Sequence, residues 1–152
     1  GGLRSRPMDR IRQKDGLSYG IGSNLAAGDL DRAGMFAINA IAAPQNLAKV
    51  DAAVREELAR VLKDGFTDAE LAGAKSGLMQ QRIQNRADDG ALAAGWTSYL
   101  YRGRTYAWSA EFEKHLMAVT LPQLNAAFRK VVDPARMSVV MAGDKAKAKP
   151  AP

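Results

Sequence analysis

The sequence predicts an α+β domain, a mostly antiparallel sheet with helices packed on one face. Three observations lead there. Period-two alternation flanks a Gly-Asp-rich turn between residues 17 and 42. Apolar stripes at steps of three and four then run from about residue 46 to residue 131, punctuated by two Thr-x-x-Glu/Gln capping boxes. Alanine, the strongest helix former, occurs 28 times in 152 residues. The resulting order is helix, hairpin, helices, strand, which segregates the helices from the sheet.

Pro7 to Lys14 reads as a short helix: Pro7 suits a first helical position, and Gly16 stops the run. Leu17 to Ala27 reads as a strand with Tyr19, Ile21, Ser23 and Leu25 on one face. Gly20, Gly22, Asn24 and Ala26 form the other, a small-residue face that predicts close approach of another element. Residues 28–34 are a polar turn, and Met35 to Ala42 is the second strand, with Phe36, Ile38, Ala40 and Ala42 on one face. Together the two strands make an antiparallel hairpin.

Pro44 breaks the strand, and Asn46 is placed to cap a helix ending at Asp64–Gly65, with a stripe of Leu47, Val50, Val54, Leu58, Val61 and Leu62. Thr67-Asp68-Ala69-Glu70 opens a helix reaching about Asn85. Another runs from about Gly90 to Arg102 with Asp89 as its cap, and another from Ala110 to Ala118. Val119-Thr120-x2-Gln123-Leu124 combines a capping box with a hydrophobic staple, and its helix continues through Phe128 to Val131. Asp133-Pro134 turns the chain into a last strand, Met137 to Ala142, apolar on both faces and so expected to be buried in a sheet. Three strands are few for so many helices, so the sheet is expected to be incomplete in this chain. Residues 1–144 form the folded part, and the Ala/Lys/Pro tail 145–152 is expected to be disordered.

Composition excludes several chemistries. With no cysteine there is no disulfide framework, Cys-type zinc site, iron–sulfur cluster or thiol nucleophile. A single histidine, His115, does not suffice for a zinc site, which normally takes two or three. Net charge is +6, but Lys145, Lys147 and Lys149 carry half of it, and no basic face with interleaved aromatics occurs elsewhere. No nucleic-acid partner is therefore expected. No run of about 18 apolar residues exists to span a bilayer.

Local candidates are few. Gly20-Ile21-Gly22 begins like a dinucleotide fingerprint, but Leu25 stands at the third glycine and the segment lies inside a strand. His115 and Glu111 read as a helix-surface pair, and Asp88-Asp89 and Glu56-Glu57 as adjacent acids that do not face each other. Trp96, Tyr99, Tyr101, Tyr106 and Trp108 read as packing residues. Arg12-Gln13-Lys14-Asp15-Gly16-Leu17-Ser18-Tyr19 differs: an arginine at a helix end and a tyrosine entering a strand can point to one site. Arginine offers a fork of donors to carbonyl or carboxylate oxygen, and tyrosine a hydroxyl donor suited to an oxyanion.

This octapeptide resembles the insulinase/pitrilysin family of zinc peptidases. So do Gly1-Gly2 through Ser5-Arg6, the run Gly65-Phe66-Thr67-Asp68-Ala69-Glu70-Leu71-x2-Ala74-Lys75, the capping box at 119–124, Asp133-Pro134 and Val139 to Asp144. The sequence departs from the family in lacking H-x-x-E-H and in carrying Pro7 where leucine is usual. The resemblance implies a two-layer domain of a metalloenzyme type, here the C-terminal portion of the non-catalytic half, lacking the domain's first strands and helix. It implies an endopeptidase of bacterial type that hydrolyses peptide bonds in an enclosed chamber. In such an enzyme the zinc sits in the partner half, while Arg12 and Tyr19 bind substrate. No catalytic or metal residue is expected in this chain. The expected partners are a zinc-bearing catalytic domain or subunit, a peptide substrate, and a second copy or other chain covering the open sheet edge. The alternative is a non-enzymatic scaffold or assembly paralogue of the same fold. The expected compartment is the periplasm, with the cytoplasm as the alternative.

Overall fold

A computed structural model describes residues 8–144, with side chains over 10–144. The molecule is mostly helical with a two-stranded antiparallel sheet, the α+β class that the alternation and the stripes predict. It divides into two compact units. One holds residues up to Ala27, Ala33–Gly65 and residues from Phe128 on; the other holds Gly28–Arg32 and Phe66–Ala127.

The first unit begins with a π-helical turn, Met8–Lys14. Strands β1 (Gly20–Ala27) and β2 (Gly34–Ile41) follow as the expected hairpin, registered Gly20 to Ile41 and Ala27 to Gly34. Cross-strand partners share a face, so Ile21, Ser23 and Leu25 stand with Ala40, Ile38 and Phe36. That face meets helix α1 (Leu47–Asp64) and the π-turn: Ile11, Ile21, Val50 and Ala53 form the buried cluster, with Leu17, Ile38, Ala42 and Val54 packed on it. Ile11 is fully buried. The other sheet face, with Gly20, Gly22, Met35 and Ile41, is open: a Cβ added at Gly20 or Gly22 would meet nothing within 4 Å. The close approach expected from the small residues is thus not found among the described residues.

Helix α1 ends as its sequence predicts. Gly65 takes φ 79° and ψ −176°, a conformation that a Cβ disfavours, and its N–H closes on Val61 O. Its start differs, because Asn46 makes no side-chain cap. Its amide instead donates to Leu17 O at 3.4 Å, a tie to the segment before β1.

The second unit contains helices α2 (Asp68–Ala87), α3 (Asp89–Tyr101) and α4 (Tyr106–Ala118), and the start of α5 (Leu121–Val131). The Thr67/Glu70 capping box forms with both reciprocal bonds. Thr120 and Gln123 form the second, at 2.9 Å and 3.5 Å. Asp88, rather than Asp89, caps α3 by accepting from Ala91 N. Lys75 donates to Met117 O and Val119 O, carbonyls left over at the end of α4.

The strand expected over Met137 to Ala142 does not form among the described residues. After a short 3-10 turn, Pro134–Arg136, the chain continues without a ladder, and Val140 is 89% exposed. Apolarity on both faces indicates what a strand would bury, but a strand exists only where a neighbour supplies its backbone partners. Among the described residues the sheet holds β1 and β2 alone, and this segment pairs with neither. The tail 145–152 lies outside the described residues, as do Gly1 to Pro7.

Candidate functional site

Arg12 occupies the last turn of the π-helix and Tyr19 the residue before β1, both in the first unit and both exposed. The backbone between them is tied at successive points. Asp15 N donates to Arg10 O and Leu17 N to Ile11 O, each at 2.9 Å, extending the wide π-type closure past the helix end. Gly16 then reverses the chain at φ 60°, where a side chain would be strained. Leu17 O accepts from Asn46. Ser18, buried, places its Oγ 2.8 Å from the carbonyl oxygens of both Gly20 and Ile41. Tyr19 N donates to Ile41 O at 2.8 Å. A tyrosine side chain 74% exposed therefore stands on a backbone with little freedom of its own. An exposed aromatic on a fixed main chain offers a hydroxyl donor and a ring without a folding role for either.

Arg10 lies beside this stretch and was not distinguished by the sequence. Its guanidinium forks onto two consecutive carboxylates of α1, Glu57 at 2.9 Å and Glu56, with Asp15 at 3.6 Å. Hydrogen bonds to Glu56 first and Glu57 second hold its pKa above the ordinary arginine value. Glu57 is 2% exposed and also receives Arg60 at 3.2 Å. The available signal was the helical phase of Glu57, which continues the step Val50, Ala53, Glu57, Val61 and puts an acid on the buried stripe.

The other candidates fall elsewhere. His115 is exposed and pairs with Glu111 at 3.4 Å. Tyr99 and Tyr106 meet edge-to-face at 5.3 Å, Trp96 joins Tyr106, and Trp108 stacks on Phe112. Arg104 lies 4.2 Å over the Trp108 ring while binding Asp29, whose carboxyl it holds below the usual carboxylate range. These contacts pack the second unit against its own loop. Among the described residues no group of three or more His, Cys, Asp or Glu is arranged to hold a metal ion, and no helix is long and apolar enough to cross a membrane.

The chain is similar to known proteins in both sequence and fold. It is 34% identical over 92 residues to an uncharacterized zinc protease of Streptomyces coelicolor, covering 60% of this chain and 20% of that protein. It is 30% identical over 137 residues to an uncharacterized zinc protease of Mycobacterium leprae, covering 88% of this chain and 29% of the relative. The crystal structure of a peptidase M16 inactive domain from Pseudomonas fluorescens superposes with a TM-score of 0.73 at 24% identity, over 88% of this chain and 31% of that one. The chain thus spans between a fifth and a third of the length of these relatives. The family model described as the peptidase M16 inactive domain matches residues 1–78, more than half of the 152, including Arg12, Tyr19 and the turn between them. By that match the chain belongs to the peptidase M16 inactive-domain family.

Proposed function

We propose that this chain is the substrate-contacting, non-catalytic half of a zinc-dependent endopeptidase. The observation that carries the reading is the fixed backbone from Asp15 to Gly20, which presents Tyr19 to solvent beside the π-turn bearing Arg12. Two relatives named as zinc proteases support the reaction class. The residues present do not fit a zinc ion, because the one histidine pairs with Glu111 on a helix surface and there is no cysteine. The metal is therefore assigned to a separate catalytic half, and no step in this chain passes through it.

The chain's own groups bind and orient. The Arg12 guanidinium donates in a planar fork to a substrate carbonyl or terminal carboxylate. The Tyr19 hydroxyl donates to the oxygen on which negative charge develops as a peptide carbonyl becomes tetrahedral. A donor positioned before the reaction stabilises that charge without reorganising at the moment it forms.

The test is made in the complete enzyme, with a fluorogenic peptide. Arg12→Ala and Tyr19→Phe are each expected to lower kcat, by on the order of 10²–10³ where an oxyanion donor is lost, with the zinc content unchanged by metal analysis. Full turnover in both variants removes the substrate-contact role of Arg12 and Tyr19.

A further inference from the structure

Glu57 is an anomaly on a buried stripe. Its Oε1 accepts from Arg10 and Arg60, but its Oε2, equally buried, has no hydrogen-bond partner among the described residues. Burying a carboxylate with one oxygen unmatched is costly, and an apolar residue at this helical phase would pack without that cost. Stability alone does not explain the pair. What a buried ion pair can confer is a single geometry.

The geometry at stake is that of the π-turn. Ile11 points into the core and is fully buried, while Arg12 is exposed. Residues 10 and 12 lie on opposite sides of such a wide turn, so tethering Arg10 sets the rotation at which Arg12 emerges. Arg10 is tethered to both Glu56 and Glu57, and it lies near Asp15, whose amide closes on Arg10 O. Side chain and backbone of one residue thus join α1 to the turn that ends at Gly16.

We propose that Arg10, clamped by Glu57 and Glu56, is a positioning residue that holds the π-turn in the rotation presenting Arg12 to substrate. The inference rests on the substrate-contact role proposed for Arg12 and Tyr19. Arg10 itself touches no substrate and acts through Arg12.

The experiment uses the complete enzyme and two readouts. Glu57→Gln removes the charge and keeps the shape. It is expected to lower kcat/KM by on the order of tenfold to a hundredfold, as a misplaced substrate-positioning group does. In an Arg12→Ala background the same substitution is expected to cause no further loss, because the group it positions is gone. Hydrogen exchange at the Asp15 and Leu17 amides, which report the turn directly, is expected to quicken in Glu57→Gln with or without Arg12. Arg10→Lys keeps the charge but loses the planar fork; it supplies the same two readouts should Glu57→Gln fail to fold. Arg55→Gln breaks the exposed Arg55–Asp51 pair on the same helix and is expected to move neither.

Losses that multiply in the double variant, or unchanged exchange at Asp15 and Leu17, overturn the proposal. So does an equal effect of Arg55→Gln, which would indicate general loosening of α1. If Arg12→Ala alone leaves turnover intact, the parent reading has failed, and the presenting role falls with it. Exchange would then identify Arg10 as a purely structural clamp.

Discussion

Glu113 takes Arg82 at 2.7 Å and Arg86 from the adjoining helical turn, joining α2 to α4 within the second unit. Hydrogen bonds from Arg82 first and Arg86 second hold its carboxyl below the ordinary value of 4.5. A depressed carboxylate stabilises the fold fully above its unfolded pKa, and the contribution is lost as pH falls through the lower folded value. Glu113→Gln is therefore expected to cost on the order of 1 kcal/mol at neutral pH, less than a fully buried charged hydrogen bond because solvent screens the Arg86 side of the pair. The gap from the parent protein should narrow below about pH 4.5, measured by urea unfolding across a pH series. His115, with Glu111 on the same helix, was legible in the sequence because partners four residues apart share a face. Arg10 with Glu57 was not, since residues 47 apart are brought together only by the fold.

At the scale of the element, local chemistry decided most boundaries. Thr67 and Glu70 satisfy each other's backbone donors, so Thr67→Ala is expected to destabilise by about 0.5–2 kcal/mol, read as a lower urea midpoint. Gly65 ends α1 in a conformation nearly exclusive to glycine, and Gly65→Ala is expected to cost about 1–3 kcal/mol by the same measurement. Two elements were decided by their surroundings. The first helix is π rather than α, with the fully buried Ile11 at its centre and Arg10 held against α1. The segment 137–142 has the composition of a buried strand and no ladder among the described residues. Composition describes the environment a strand wants, whereas pairing requires the neighbour itself.

At the scale of the molecule, each strand of the hairpin pairs only with the other among the described residues, and Met35 and Ile41 are 61% and 71% exposed on its open face. Bare edges and apolar faces invite association. The chain carried alone is expected to self-associate with rising concentration in sedimentation, and Met35→Lys with Ile41→Lys to shift it toward monomer. Supplied with zinc it is expected to cleave no peptide until the catalytic half is added. The α+β class, the hairpin, the two capping boxes and the family were legible in the amino-acid order alone. These rest on period, turn chemistry and short motifs, all written within a few residues of one another. The clamp of Arg10 on Glu56 and Glu57, the π-turn and the unpaired state of 137–142 emerge in the folded chain. Each depends on which distant groups meet, and that is settled by packing rather than by local preference.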